Sequence, residues 1–318
     1  MWKDNLILDI EISTQCNAFC PQCARYEPGT ETVRVLEDKW SASDFKSYFP
    51  SLDNISEIYL YGTRGDPATC NDLPEIIDYI MNNSTATVVV SSNGSLQTEE
   101  WWWRLAISGG ERLTVAFDID GTTQEMHARY RRNTNLEKIL SNIEVVSNTK
   151  ANIRIFTVVF KHNQDYLDDI FEMCKKFNPM DHAKLSSNRF SSEKPFEFTD
   201  RKGIRDTLEQ ATTDYRCGTR MLKDYRVEVK DNVTINCSFH DQNKLVILND
   251  GKVYPCCFVS PHIPRPANIY TGEMSYLNNA ESVKDKPLEE ILKNDFYTRG
   301  IFESFKNPVY QCRKYCGS

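Results

Sequence analysis

Short apolar stretches alternate with amphipathic ones along the first 190 or so residues of the chain. The apolar stretches are rich in Val, Ile, Tyr and Phe and predict β-strands at 6–12, 57–61, 87–91, 113–117, 153–159 and 183–187. The amphipathic stretches predict helices at 42–49, 73–81, 98–107, 136–147 and 166–177. Strands that alternate with helices indicate right-handed βαβ units and a parallel sheet. Six such strands suit an open partial barrel or a flat doubly wound sheet, and in both the ligands bind at the carboxyl ends of the strands.

The pattern changes beyond residue 188. Residues 186–195 are polar and predict a loop, and residues 200–210 predict a helix. Apolar residues at 245–248 and 253–254 flank Asp250-Gly251, which is a strong hairpin signal. The last third of the chain also holds six of the eleven cysteines, Cys217, Cys237, Cys256, Cys257, Cys312 and Cys316. We therefore expect a first domain at 1–195 and a smaller cysteine-rich α+β domain at 215–318.

Composition narrows the class of protein. The chain has 318 residues, 40% of them hydrophobic, and a net charge of −7, which suits a soluble protein and argues against nucleic acid as a partner. It has no run of 18 apolar residues and no apolar core of a signal peptide, so we expect no membrane span. Eleven cysteines without an export signal fit metal-bound thiols in the cytoplasm better than disulfides.

The most informative stretch follows the first predicted strand. Cys16, Cys20 and Cys23 are spaced C-x3-C-x2-C. Three thiolates on one loop can hold three corners of a [4Fe–4S] cluster and leave one iron open to a ligand. The alternatives are a zinc site, although structural zinc prefers four ligands, or three unrelated buried thiols. This spacing at the end of a first strand resembles the signature of the radical S-adenosylmethionine (radical SAM) enzymes.

Polar residues at the ends of later strands strengthen the resemblance. Residues 61–67, Tyr-Gly-Thr-Arg-Gly-Asp-Pro, resemble the Gly-Gly-Glu-Pro stretch that binds the methionine amino group in this family. The resemblance implies a SAM contact at Gly62, Gly65 and Asp66, with Asp in place of the usual Glu and Thr63-Arg64 as a departure.

Two further stretches resemble family motifs at the ends of the third and fourth strands. They are Ser-Ser-Asn-Gly at 91–94 and Phe-Asp-Ile-Asp-Gly at 117–121, the latter followed by His-Ala-Arg-Tyr-Arg at 127–131. The resemblance implies that Asn93 and Asp118 lie near the ribose and that Arg131 reaches the methionine carboxylate, which suits a guanidinium fork. The family usually has an aromatic residue before the third cysteine, where this chain has Gln22. We therefore expect the adenine contact to come from backbone groups near Val158 and Val159.

The C-terminal cysteines resemble a second iron–sulfur domain. Cys237, Gly251 and Cys256 resemble the C-x9–15-G-x4-C opening of the SPASM and Twitch domains, and the chain ends with Cys312-x3-Cys316. The resemblance implies that Cys237, Cys256, Cys312 and Cys316 hold one auxiliary [4Fe–4S] cluster, with Cys217 and Cys257 as reserves. The C-x2-C-x5-C run of a two-cluster SPASM domain is missing, which favours the one-cluster Twitch arrangement. A zinc ribbon is the alternative.

The resemblance implies a partial (β/α)6 TIM-like barrel with a C-terminal Twitch/SPASM-like domain, and an iron–sulfur oxidoreductase. Such an enzyme cleaves SAM reductively and uses the 5′-deoxyadenosyl radical to abstract a substrate hydrogen atom. We expect a peptide or protein side chain as substrate, with a small-molecule dehydrogenase or cyclase as the alternative. An electron donor such as flavodoxin or ferredoxin is also implied. Fifteen residues precede Cys16, so we expect no peptide-recognition module there. A non-enzymatic zinc-binding protein is the alternative from a different class.

Overall fold

A parallel β-sheet organises the protein. The computed structural model describes residues 4–186, 194–212, 233–260 and 277–317. Within these residues the sheet has eight strands, in the order β10-β9-β1-β2-β3-β4-β5-β6. Its strands are β1 Leu6–Ile10, β2 Ile55–Leu60, β3 Thr87–Ser92, β4 Leu113–Asp118, β5 Asn152–Val159, β6 Asp181–Ser186, β9 Lys244–Ile247 and β10 Val253–Tyr254. All six predicted strands are confirmed, with ends shifted by one or two residues.

The helices complete the βαβ units. They are α1 Ala42–Tyr48, α2 Leu73–Asn83, α3 Glu99–Gly109, α4 Gln124–Ala128, α5 Leu136–Ser147, α6 Leu167–Lys175, α7 Ser238–Asp241, α8 Leu288–Ile291, α9 Ile301–Glu303 and α10 Tyr310–Cys316, with a π-helical turn at Phe296–Gly300. The first five predicted helices are confirmed as α1, α2, α3, α5 and α6. Sequence signals fix their starts: Ser41 forms a capping box with Asp44, and Thr98 and Asn135 accept hydrogen bonds from the first turns of α3 and α5.

The strand order decides between the two sheet types that the sequence allows. Strands β1 to β6 are neighbours in space in the order of the chain, and every pair is parallel. Right-handed crossovers that always advance in one direction place all the helices on one face, whereas a doubly wound sheet reverses its order. The fold is therefore a partial barrel. Alternating burial along β5, with Ile153, Ile155, Thr157 and Val159 buried, marks the face that packs on the helices.

The predicted C-terminal hairpin is confirmed and joins the same sheet. β9 and β10 are antiparallel around Gly251, whose φ of 83° explains why glycine stands there. β9 also pairs in parallel with β1, so the cysteine-rich segment extends the edge of the barrel sheet. Asn249 reinforces this junction, because its Nδ2 donates to Ile12 O at 3.2 Å and its carbonyl accepts from Trp40 Nε1 at 2.8 Å.

The predicted helix at 200–210 is wrong. This segment contributes to an antiparallel hairpin of β7 Phe196–Thr199 and β8 Arg205–Leu208, with Gly203 at φ 79° in the turn. Phe198 in β7 and Leu208 in β8 pack on Phe160 in a small apolar cluster of their own. Such one-sided burial is typical of strands, whose side chains alternate between two faces. Most of the predicted loop at 186–195 lies outside the described residues. No helix in the described residues is long and apolar enough to cross a membrane.

Candidate active site

The three-cysteine loop lies directly after β1 and is held by local hydrogen bonds. The Cys23 amide donates to Cys20 O at 2.9 Å, and the Ala18 amide donates to Cys16 Sγ at 3.4 Å. The hydroxyl of buried Tyr26 donates to Ala18 O at 2.6 Å. These contacts fold residues 16–26 back on themselves, so the spacing C-x3-C-x2-C places three thiols on one compact loop.

The thiols influence one another. Burial raises the pKa of Cys16 well above its usual value, and the charges of Asp66 and Cys20 raise it further. Burial also raises the pKa of Cys20 to about 12. A bound cationic centre offsets such penalties, because metal ligation requires the thiolate. Across the described ranges no three His, Cys, Asp or Glu side chains converge on a single-ion position. A [4Fe–4S] cluster does not need that convergence, because its thiolates bind different iron atoms.

The glycines after β2 allow that loop to press against the cysteine loop. A Cβ on Gly65 would lie 2.1 Å from the backbone oxygen of Ser13, and a Cβ on Gly62 would lie 1.6 Å from the oxygen of Gly65. The Asp66 amide then donates to Gln15 O at 2.7 Å, next to Cys16. Only glycine fits at 62 and 65, since both gaps are shorter than any Cβ contact allows.

Asp66 is buried and its carboxylate is saturated within the protein. Its Oδ1 accepts from the Ala68 amide at 2.9 Å and from Ser92 Oγ at 2.8 Å, while its Oδ2 accepts from the Asn93 amide at 2.8 Å and from Asn93 Nδ2. Asp66 therefore ties the end of β2 to the end of β3. Its predicted contact with the methionine amino group stays a prediction, and any such contact shares a carboxylate that already has four donors.

Asn93 connects this network to the first cysteine. Its side-chain amide lies 3.8 Å from Cys16 Sγ and donates to Asn17 Oδ1 at 2.9 Å. An amide donor beside a thiolate is the kind of outer partner that orients a metal ligand and tunes its charge. The structure therefore places Asn93, which the sequence predicts at the end of the third strand, next to the cysteine loop.

Arg131 lies between two carboxylates at the end of β4. Its Nη1 is 2.9 Å from Asp118 Oδ2, and its Nε donates to Asp120 Oδ2 at 2.7 Å. Burial opposes the charge on Arg131, yet Asp118 and Asp120 raise its pKa well above the usual value. Burial raises the pKa of Asp118 to about 7 against the effect of Arg131. The Arg131 charge also lowers the pKa of Cys20, which places this group beside the cysteine loop.

The last predicted SAM contact is at the end of β5. The Val158 amide donates to Asp120 Oδ1 at 2.7 Å, and its carbonyl accepts from Asn163 Nδ2 at 3.0 Å. The side chain of Val159 is buried in the helix-facing core, so only its backbone could contact adenine. Gln22 is also buried. The adenine contact stays a prediction.

Sequence reasoning missed an ion pair beneath the site. Glu11, just after β1, accepts from the Arg64 amide at 2.8 Å and from Arg64 Nε at 3.2 Å, and its Oε2 pairs with Arg64 Nη2. Both residues are buried. The signal was a carboxylate within the apolar stretch at 6–12, together with an arginine where the family has none. Asp120 was also missed as a partner of Arg131.

The four predicted auxiliary ligands lie together. The Cys316 thiol hydrogen-bonds to Cys237, which lowers the pKa of Cys237 to about 6 and raises that of Cys316. Burial, followed by the charges of Cys257, Cys312 and Cys237, raises the pKa of Cys256. A backbone hydrogen bond from Asn236 N to Cys316 O at 2.9 Å brings the C-terminal helix back to the start of this segment.

Cys257 has different surroundings from its neighbour. Burial raises its pKa to about 12, and the charges that act on it are those of Asp9 and Lys244, not those of Cys237, Cys312 or Cys316. The other reserve, Cys217, lies outside the described residues. The assignment of Cys237, Cys256, Cys312 and Cys316 as the auxiliary ligands stays a prediction.

Comparisons with known proteins agree with both sites. The Radical SAM superfamily profile matches residues 10–174, and the SPASM profile, an iron-sulfur cluster-binding domain, matches residues 237–317. The chain is 29% identical over 167 residues to an AdoMet-dependent heme synthase of Methanosarcina barkeri, which is 52% of this chain and 46% of that protein. It is 27% identical over 162 residues to a cysteine-type anaerobic sulfatase-maturating enzyme of Clostridium novyi, which is 45% of this chain and 43% of that protein. The chain thus spans about half the length of the curated relatives it matches.

Solved structures share the fold over nearly the whole chain. SuiB of Streptococcus suis bound to S-adenosylmethionine gives a TM-score of 0.64 at 12% identity and covers 97% of this chain and 72% of that one. Native anSMEcpe with bound AdoMet gives 0.59 at 14% identity and covers 98% of this chain and 89% of that one. At these low sequence identities, the structural similarity shows that the fold is shared. With the superfamily profile matching more than half of its residues, the chain belongs to the radical SAM superfamily and carries a C-terminal SPASM domain.

Proposed function

We propose that this radical SAM enzyme modifies a side chain of a peptide or protein by abstracting a hydrogen atom from it. The observation that carries the proposal is the pairing of a three-cysteine loop with four cysteines that lie together in the SPASM domain. The fold that surrounds both is shared with SuiB and with anSMEcpe, which has been solved with bound peptides. We also propose that the domains divide as 1–195 and 215–318.

The residues of the first site have proposed roles that follow from their positions. Cys16, Cys20 and Cys23 hold the first [4Fe–4S] cluster, and Asn93 and Asp118 lie toward the ribose of SAM. Arg131 receives the methionine carboxylate through its guanidinium, which is largely buried beside Cys20 and shares its charge with Asp118 and Asp120. We propose that Asp66 contacts the methionine amino group of SAM and that backbone groups near Val159 contact its adenine.

When bound, the cluster and SAM supply a 5′-deoxyadenosyl radical that takes a hydrogen atom from an unactivated C–H bond. The protein's own part is to hold the substrate carbon in position and to exclude water and oxidants. We propose that Cys237, Cys256, Cys312 and Cys316 would hold a single auxiliary cluster, which would supply an electron acceptor or an anchor for the substrate. A flavodoxin or ferredoxin in a reducing cytoplasm is the proposed electron source.

A small-molecule substrate is the second candidate, and a specific observation favours it. Two of the relatives, at 29% and 28% identity, are AdoMet-dependent heme synthases. Those alignments span less than half of each heme synthase, whereas the structural likeness to SuiB covers 97% of this chain.

The experiment starts with anaerobic reconstitution of the enzyme and SAM cleavage driven by dithionite. A short precursor peptide encoded by a neighbouring gene is then added, and the products are analysed by mass spectrometry. We expect a loss of hydrogen mass or a new crosslink in the peptide, together with 5′-deoxyadenosine. A peptide that stays unmodified while a porphyrin precursor is converted would favour the second candidate. Absence of 5′-deoxyadenosine under every condition would contradict both.

A further inference from the structure

The β7–β8 hairpin lies against the three-cysteine loop. The guanidinium carbon of Arg201 is 3.6 Å from the ring centroid of Phe19, the residue before Cys20. The Arg201 amide donates to Glu31 Oε2 at 3.1 Å, and the Thr199 amide donates to Gly29 O at 2.8 Å. The hairpin is therefore seated on the loop that follows the cysteines, and its turn lies beside the first cluster site.

Asp200 and Asp206 of this hairpin, and Glu31 of the loop that follows the cysteines, are paired with arginines of the barrel. Arg132 pairs with Asp200 at 3.1 Å and with Glu31 at 3.2 Å, and Arg129 pairs with Asp206 at 3.3 Å. Two arginines that follow α4 thus compensate the carboxylates next to the turn. Within the described residues, the basic side chains of the turn have either a long ion pair, at Arg201, or none, at Lys202 and Arg205.

We call residues 200–205 the hairpin tip. Arg201 has a side chain 53% exposed; its guanidinium stacks on Phe19, and its ion pair with Glu31 is long, at 3.8 Å. Lys202 and Arg205 are exposed and form no ion pair within the described part of the chain. Between them Ile204 is 59% exposed. The hairpin tip is a small basic surface with an apolar centre on a chain whose net charge is −7, and basic and apolar groups together are typical of protein-binding surfaces.

We propose that the hairpin tip is the docking surface for an acidic, flavodoxin-type electron carrier that reduces the first cluster. This inference rests on the proposed function, because it assumes that Cys16, Cys20 and Cys23 hold a cluster. In each encounter the carrier loses one electron and the first site gains it, and no bond forms between the two proteins. A carrier protein is too large to enter the barrel, where SAM and substrate bind, so it must approach the outer edge of the cysteine loop. The hairpin tip is a basic surface at that edge, and charge complementarity steers an acidic partner to it.

The test uses the holoenzyme with Lys202→Glu and Arg205→Glu combined. Arg201 is kept, because it stacks on Phe19 and its amide binds Glu31. The matched control combines Lys138→Glu and Lys293→Glu, which reverse two exposed charges on α5 and after α8. Binding of a purified flavodoxin is measured by biolayer interferometry at several salt concentrations. Formation of 5′-deoxyadenosine is measured with flavodoxin and, separately, with dithionite.

We expect the hairpin-tip variant to bind flavodoxin roughly tenfold more weakly and with a shallower salt dependence than the parent. Its KM for flavodoxin rises by a similar factor, while its dithionite-driven rate and the behaviour of the control variant are unchanged.

Unchanged flavodoxin binding would overturn the proposal. Equal losses with both reductants would also overturn it, because they would mean that the hairpin only braces the site. Weaker binding of the peptide substrate with normal flavodoxin binding would instead assign the tip to the substrate. A parent that binds flavodoxin but cleaves no SAM with dithionite would count against the proposed function and leave the docking result to stand by itself.

Discussion

The carboxylate of Glu11 binds both the backbone amide and the guanidinium of Arg64, and neither residue is exposed to solvent by more than a few per cent. Glu11 follows the first strand and Arg64 lies in the glycine loop after the second. The ion pair therefore fixes the loop that carries Asp66 relative to the loop that carries the three cysteines.

Removing one member of this pair leaves a buried charge without a partner. We expect Glu11→Gln or Arg64→Met to lower the free energy of unfolding by about 3–5 kcal/mol. The double variant Glu11→Gln/Arg64→Met recovers much of that loss, because no uncompensated charge remains. Urea unfolding under anaerobic conditions measures all three. Single variants as stable as the parent would mean that water or another charge compensates the remaining residue.

The iron content separates the two cysteine clusters. With Cys16, Cys20 and Cys23 changed to Ala, we expect about four iron atoms per chain, against about eight in the parent, since one of two [4Fe–4S] clusters is lost. Iron and acid-labile sulfide are measured after reconstitution. Iron near zero in the triple variant would contradict the auxiliary cluster, and parental iron would contradict the first site.

Arg131 can be tested against a neighbouring arginine. We expect Arg131→Gln to weaken SAM binding by roughly 1.5–3 kcal/mol, because a charge-assisted contact with the methionine carboxylate is lost. Arg129→Gln is the control, since Arg129 pairs with Asp206 in the hairpin and not with Asp118 or Asp120. Equilibrium dialysis gives the affinity, and iron content shows that the cluster is retained. Equal affinities for the two variants and the parent would remove Arg131 from the SAM site.

In the cysteine-rich segment, the predicted ligand Cys312 can be compared with Cys257, which is not among the four predicted ligands. We expect Cys312→Ala to make the residues beyond β10 sensitive to protease while the barrel sheet, which includes β9, resists, because metal binding contributes folding energy to the segment that it holds. The variant still cleaves SAM with a chemical reductant but does not complete substrate oxidation. Cys257→Ala is the control and keeps parental iron and protease resistance, because its surroundings are Asp9 and Lys244. Loss of iron in Cys257→Ala with retention in Cys312→Ala would exchange their roles.

Local chemistry made much of this fold predictable from the sequence. The strands of the barrel are apolar and short, and their helices begin at capping residues, so both could be placed within a few residues. The β7–β8 hairpin could not, because residues 200–210 contain mainly charged residues, and the packing of Phe198 and Leu208 on Phe160 is a contact between distant parts of the chain. Tertiary contacts of this kind override local propensity.

The sequence predicts which residues lie near the site, but not the hydrogen bonds and ion pairs that these residues form with one another. The motif placed Asp66 and Arg131 near the cysteines. The Asp66 carboxylate accepts four hydrogen bonds from Ala68, Ser92 and Asn93, and these depend on the register of β2 and β3. The Arg131–Asp120 pair likewise depends on a turn after β4 whose course the sequence does not reveal.

The pairing of β9 with β1 has a consequence for how the chain is made. The hydrogen bond from Asn249 to Ile12 joins residues 237 positions apart, and β9 covers an edge of β1 that would otherwise be open. During synthesis, β1, which precedes the cysteine loop, therefore pairs with β9 only after the first 247 of the 318 residues have been made. Such long-range pairing is slow and leaves an aggregation-prone edge in the interim. Expression at low temperature and slow synthesis rates will favour soluble, cluster-competent protein, and truncation before residue 244 will leave the barrel with an unprotected strand.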